Sequence, residues 1–131
     1  MEVEICELKR VDEKEWDDYI RSHPESTFFH QLGWRDVVVK TYKHKPVYLV
    51  AREKGEIKGV LPLFLIKSKF ISNKLISLPF APYGCVCASN EQIEIALIKK
   101  AIELAQDLDV DYLELRSNKE GRFKKLPSTT K

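Results

Sequence analysis

The residues best suited to chemistry fall in two short stretches. SLPFAPYGCVC, residues 77–87, gathers Pro79, Pro82, Tyr83, Gly84, Cys85 and Cys87. Cys85 and Cys87 stand two apart, so on an extended chain both thiols point to one face. Structural zinc wants four ligands with looser cysteine spacing, and no second Cys/His pair follows at a matching distance. A disulfide across a single residue would be strained. The open readings are a metal site completed by Cys6 and scattered histidines, a strained disulfide, a nucleophile served by a distant histidine, or small buried residues on a strand. Pro79 and Pro82 remove ladder donors, and Gly84 allows close backbone approach or a positive φ. A strand broken in this way is either a bulged sheet end or the wall of a cleft whose free backbone groups meet a ligand.

TFFHQLGW, residues 27–34, sets three aromatics and a histidine at the start of a helix. Phe28, Phe29 and Trp34 suit a core. His30 and Gln31 fall near a helix N-terminus, where free N–H groups favour anions and polar ligands. His30 is thus a ligand contact or general base, or else a cap or satisfied interior histidine. The five glycines stand at 33, 55, 59, 84 and 121, so neither G-x-G-x-x-G nor the phosphate loop G-x-x-x-x-G-K-[ST] can be written. G-x-S-x-G, H-E-x-x-H and C-x-x-C are absent too.

These stretches must be held by some framework. A chain of 131 residues with 44% hydrophobic and 32% charged residues suits one globular domain. Its longest apolar run, Val60 to Ile66, is far short of the ~20 residues that span a bilayer. MEVEICELKR has no apolar signal core, and the odd cysteine count of three fits a reducing compartment, so a cytoplasmic protein is expected. A net charge of +2 does not suggest a dedicated nucleic-acid binder, although Lys67, Lys69 and Lys74 cluster, as do Lys119, Arg122, Lys124 and Lys125.

Alternation in 3–9 predicts a strand. Asp12-x-x-Glu15 then reads as a capping box opening a helix that His23-Pro24 stops. A second helix is expected from about His30 to Tyr42. Residues 46–53 and 57–67 read as a hairpin around Lys54-Gly55-Glu56, with Pro62 implying an edge or a bulge. Residues 74–80 form a further strand. Ser89-x-x-Gln92 caps a helix with Ile93, Leu97, Ala101, Leu104 and Leu108 as its buried stripe, and 110–116 closes as a strand. The order β-α-α-β-β-β-α-β requires antiparallel pairing in the middle and permits a parallel pair across the late helix.

From 15 to 117 the sequence resembles the N-terminal part of the FemAB-like proteins, peptidoglycan-bridge aminoacyltransferases and their exopolysaccharide-associated relatives. The resemblance lies in T-F-F-H-x-x-x-W, in Y-L-V-A-R-E-x-G-x-I-x-G-V-L-P-L-F and in S-L-P-F-x-x-Y-G. It implies an α/β (α+β) fold of GNAT type, a mixed and mainly antiparallel sheet flanked by helices. On this view residues 1–117 are a single half domain, and 118–131 are a polar tail or the start of a linker to a second domain. The implied function is the acceptor-side cleft of an aminoacyl- or acyltransferase acting in cell-wall or exopolysaccharide precursor modification. The alternative is a catalytically silent binding or assembly module that pairs with a second domain or copy.

The resemblance places His30, Gln31, Trp34, Tyr83 and Gly84 in the cleft, with Lys40 as a phosphate contact. Implied partners are a nucleotide-linked precursor, an aminoacyl-tRNA donor, and a second copy or acyltransferase-like domain. No cofactor or metal is expected. Acetyl-CoA would call for a pyrophosphate loop, Q/R-x-x-G-x-G/A, which this sequence lacks.

Overall fold

The computed structural model describes residues 3–24, 26, 30–67, 73–77, 86–115 and 124–127, with the backbone only for Tyr112 and 124–127. β1 (Glu4–Glu7) leads through a single 3-10 turn into α1 (Glu13–Ser22) and α2 (Leu32–Tyr42). β2 (Lys45–Pro46) and β3 (Leu49–Glu53) are two parts of one interrupted strand. So are β4 (Glu56–Leu61) and β5 (Phe64–Ile66), and β6 (Lys74–Ile76) and the short β7 (Cys87–Ala88) follow. α3 (Glu91–Asp107) then leads to β8 (Tyr112–Leu115) and β9 (Lys124–Pro127). With the interrupted strands counted whole, this is the order expected from the sequence, with β7 and β9 added.

The strands form two ladders, β1-β3-β4-β7 and β2-β5-β6-β8-β9, antiparallel except for the β6–β8 pair. The long strands run through both ladders and join them, and Val47 N donating to Leu63 O (2.8 Å) carries the pairing across the interruptions. Pro62 sits at one of these breaks, as the sequence implied. The hairpin turn is Lys54-Gly55, both at positive φ (55° and 82°), which glycine adopts readily and which suits the twist of a two-residue turn.

The sheet separates two apolar layers. Leu49, Ala51, Leu61, Leu63, Leu65, Leu75 and Leu113 pack under α3 through Ile93, Leu97, Ala101 and Ala105. Trp16, Ile20, Leu32, Val38, Tyr48, Val50, Val60, Phe64 and Cys87 fill the layer under α1 and α2. Alternation along 47–51 and 60–65 assigns each residue its side, as period two requires. Between Ile57 and Gly59 the register slips, so both face partners on β3 with Lys58 left over, and the alternation changes phase there.

Two caps differ from the sequence expectation. Asp12 does not close a capping box with Glu15. Its carboxylate accepts from Lys9 N (3.2 Å) and from Arg52 Nη2 (2.7 Å), while Glu15 takes Arg52 through both oxygens and Ile57 N (3.1 Å). Tertiary partners with full positive charge win over a local backbone amide. α3 is capped by Asn90, whose Oδ1 accepts from Ile93 N (2.9 Å), one residue later than Ser89-x-x-Gln92 suggested. Ser89 is engaged elsewhere, through its hydroxyl, with Tyr19 (3.0 Å).

The Arg52 guanidinium bonds Glu15 and holds its carboxyl below the usual value of 4.5, against a smaller opposing effect of burial. The unfolded chain therefore takes up that proton first as pH falls. The stabilisation is complete above about pH 4.5 and is lost as pH drops through the lowered folded value. Arg52→Met is expected to cost about 2 kcal/mol at neutral pH, since it strands two acids beside each other. Its stability should also decline less steeply than the wild type's below pH 4.5. Urea denaturation across pH 3–7 reads both effects.

Candidate functional site

The candidate site lies on the α1/α2 side, where β7 rejoins the sheet. β6 pairs with β5 from Ile66↔Lys74 to Phe64↔Ile76, and β7 pairs with β4 from Val60↔Cys87 to Gly59↔Ala88. Between these ladders only Leu61, Pro62 and Leu63 stand on one side, against the ten residues 77–86 on the other. Pairing with β5 and β4 is therefore interrupted after Ile76 and resumes at Cys87, while Ser77 N still donates to Glu114 O (2.9 Å). Most of SLPFAPYGCVC falls between these two pairings, and residues 78–85, with Tyr83, Gly84, both prolines and Cys85, lie outside the described residues.

At the point of return, Cys87 Sγ meets His30 Nε2 at 3.5 Å, and both residues are buried, at 1% and 2% exposure. The 57-residue separation gives no sequence signal for this pairing. His30 is fixed from behind by Trp16, whose Nε1 donates to the His30 carbonyl (2.9 Å). Trp16 is fully buried, its ring 5.0 Å from that of Tyr48, which in turn meets Phe64 edge-on at 5.5 Å. The sequence placed His30 at the helix start. In the structure it precedes α2, whose first turn is closed by Trp34 N to Gln31 O (3.0 Å) and by Asp17 of α1 accepting from Leu32 N (3.2 Å).

Gln31 is exposed beside it, and Trp34 is half-buried against the same apolar layer. Lys40 is not brought to this group. It lies in the last turn of α2, about 14 Å along the helix axis from Gln31 at 1.5 Å per residue.

A polar seam beside the site was not anticipated. Tyr19 OH donates to Lys58 O (2.9 Å) and meets Ser89 Oγ, while Ser89 N donates to Lys58 O (2.8 Å). Because Ser89 bonds across to Lys58, the N–H and C=O of Ala88 point away from β4. His23 Nε2 lies 2.9 Å from that outward carbonyl, which can only accept, so this nitrogen carries the ring proton. Tyr19, Ser22, His23, Pro24, Ala88 and Ser89 line a cleft of about 480 Å³ here. Burial raises the Tyr19 hydroxyl above its usual value, so it stays a neutral donor.

Sequence reasoning did not settle the place of two buried groups. Glu114 on β8 is buried beside Ile76, and the alternation of VDYLELR left its side open. Tyr48 OH is buried without a hydrogen-bond partner among the described residues, and desolvation drives its pKa far up. Tyr48→Phe is expected to leave stability unchanged or raise it by up to about 1 kcal/mol, because a desolvated hydroxyl with no partner is a cost. Thermal unfolding checks this, and a loss of more than that size would show that the hydroxyl is satisfied in solution. Among the described residues no group of three or more His, Cys, Asp or Glu is arranged to hold a metal ion.

This architecture, two joined ladders with α1 and α2 on one side and α3 on the other, is the GNAT-type acyltransferase fold. FemX shares it over 92% of this chain with a TM-score of 0.70 and 20% identity, and the chain spans 28% of FemX's length. A GNAT family acetyltransferase from Brucella melitensis, in complex with acetyl-CoA, matches over 98% of this chain and 90% of its own (TM-score 0.71, 14% identity). An N-acetyltransferase from Staphylococcus aureus Mu50 matches over 88% and 70% (TM-score 0.61, 16% identity). No family model matches the sequence, and no curated protein matches it. The resemblance to FemAB-like proteins thus holds at the level of fold.

Proposed function

We propose that the chain is the acceptor-side half of an aminoacyl- or acyltransferase of FemAB-like type, acting on a cell-wall or exopolysaccharide precursor. The observation that carries this reading is the buried His30–Cys87 contact, which lies beside the break in pairing between Phe64↔Ile76 and Val60↔Cys87. It sets polar side chains within the layer under α1 and α2, next to a break in the sheet. In the transfer, the acceptor amine attacks the acyl carbon, the ester C–O bond to the donor breaks, and the leaving hydroxyl takes up the amine's proton. Positioning of the two reactants supplies much of the rate in such a step. His30, Gln31 and Trp34, with Tyr83 and Gly84, would contact the acceptor.

The FemX match over little more than a quarter of that chain supports a division of labour with a second domain. The test is twofold. NMR titration with nucleotide-linked precursors should shift His30, Gln31 and Trp34. Transfer from aminoacyl-tRNA, followed by mass spectrometry, should need a second acyltransferase-like domain. Shifts confined to other surfaces would overturn the assignment.

A second reading is acetyl-CoA-dependent transfer by the chain alone, favoured by the Brucella neighbour of nearly matching length. Against it, α3 caps its own first turn through Asn90 and opens with Glu91 and Glu94, which repel a pyrophosphate at that helix end. Tight acetyl-CoA binding by calorimetry would reverse the preference.

A further inference from the structure

The fold gathers cations that are scattered in sequence. α2 ends at Tyr42, β2 begins at Lys45, β5 ends at Ile66 and β6 begins at Lys74, and the register Lys45↔Leu65 and Ile66↔Lys74 sets all of these at one end of the sheet. Lys40, Lys43, Lys45 and Lys67 are exposed there, and none of the four forms an ion pair with a described residue. Elsewhere Lys14, Arg21, Arg35, Arg52, Lys58 and Lys100 each hold an acid, and the exposed Lys9, Arg10, Lys54 and Lys99, which hold none among the described residues, lie outside this corner. Lys74 adds a half-buried charge, near enough to lower the pKa of His44 beyond the effect of burial. Among these lysines stands Tyr42, 49% exposed and stacked on His44 at 6.0 Å.

We propose that this α2–β2 corner docks on a membrane surface rich in anionic lipid. Four unpaired lysines around a half-exposed aromatic match what such a surface offers, a diffuse negative field with an apolar layer beneath. The charges are all lysine, flexible point charges without the planar fork that reads phosphates in fixed register. β2 is the edge strand of its ladder, so a broad surface can approach. Acids fix the orientation. Asp107, Asp109 and Asp111, all exposed, lie at the same end on the α3–β8 side, and Asp36 on α2 is held by Arg35. The lipid surface therefore meets the β2 edge and the C-terminal turn of α2, with the α3–β8 turn held away from it. None of the described helices is long and apolar enough to cross a membrane, so the contact is peripheral.

The test is co-sedimentation of the chain with vesicles of phosphatidylcholine alone and of phosphatidylcholine mixed with phosphatidylglycerol. Binding is expected only to the anionic vesicles and should weaken with salt. Changing Lys43, Lys45 and Lys67 together to Gln should reduce it roughly a hundredfold, at about fivefold per lysine, with an unchanged circular dichroism spectrum. Tyr42→Ala should weaken it further. Equal binding to neutral vesicles, or a triple variant that binds as the wild type does, overturns the proposal. So does an RNA oligomer that binds more tightly than the anionic vesicles with the same lysine dependence, since the corner would then serve nucleic acid. The acyl-transfer reading is untouched by any of these outcomes.

Discussion

Replacing Gly59 by valine is expected to cost about 3 kcal/mol or more of folding stability. A Cβ built on Gly59 would stand 2.6 Å from Ile93 Cγ2 and 2.9 Å from Leu97 Cδ1. Leu97 can swing its methyl aside, but the branch methyl of Ile93 is held by a stiff χ1 in the helix. α3 would therefore have to lift from the sheet, and Ile93, Leu97, Ala101 and Ala105 all make contact through that face. Gly59 also pairs with Ala88 of β7, so the displacement reaches the edge where the candidate site begins. Gly59→Val should lower the urea midpoint at an unchanged slope. Gly33 supplies the control. Nothing lies within 4 Å of its added Cβ, and Gly33→Ala in α2 should be neutral or stabilising by about 0.5 kcal/mol.

Trp16→Ala is expected to cost about 3–5 kcal/mol, as removal of a fully buried tryptophan does. Part of that loss is packing against Tyr48, and part is the anchor of His30. Trp16→Phe separates the two, since it keeps an aromatic ring and leaves the buried His30 carbonyl without its indole donor. A cost of about 1–3 kcal/mol is expected for this narrower change. With the anchor gone, His30 should lose its fixed approach to Cys87. The His30 ring resonances should then shift in Trp16→Phe while those of Tyr42 and His44, at the far end of α2, stay in place. Unmoved His30 resonances would mean that the α1–α2 connection, not Trp16, holds the histidine.

The elements with strong periodicity were legible in the sequence: α3 by its apolar stripe, the central hairpin by Lys54-Gly55, and β8 by its alternation, although the stripe ends early, with Ala105 buried and Leu108 exposed past the helix end. The parallel β6–β8 pair is the one that the late strand-helix-strand unit permitted. What was not legible depends on long-range choice. Asp12 and Glu15 satisfy every local rule for a capping box, yet Arg52, some 40 residues away, is the stronger partner. The bulge at Lys58 changes which side Ile57 and Gly59 face, and no residue type announces it.

In the site, His30 and Gln31 were visible as a polar pair at a helix start, but the contact with Cys87 and the hold of Trp16 on His30 are properties of the packed layer. Lys40, expected as a phosphate contact, stands in the last turn of α2, at the opposite end of that helix from His30 and Gln31. The seam of Tyr19, His23 and Ser89 has no motif at all. It exists because α1 ends where α3 begins.

The mismatch of ten residues against three has a consequence for how such a chain can change over time. Cys87 and Ala88 pair with β4 in line with the ladder in which Ile76 pairs with β5, so the strands themselves fix both ends of this connection. Lengthening a connection of this kind adds only about 0.6 kcal/mol per doubling of its length. Between Ser77 and Val86, which are tied to the sheet and the core, a change of length is therefore cheap to the scaffold, and new contents can be tried there without refolding it.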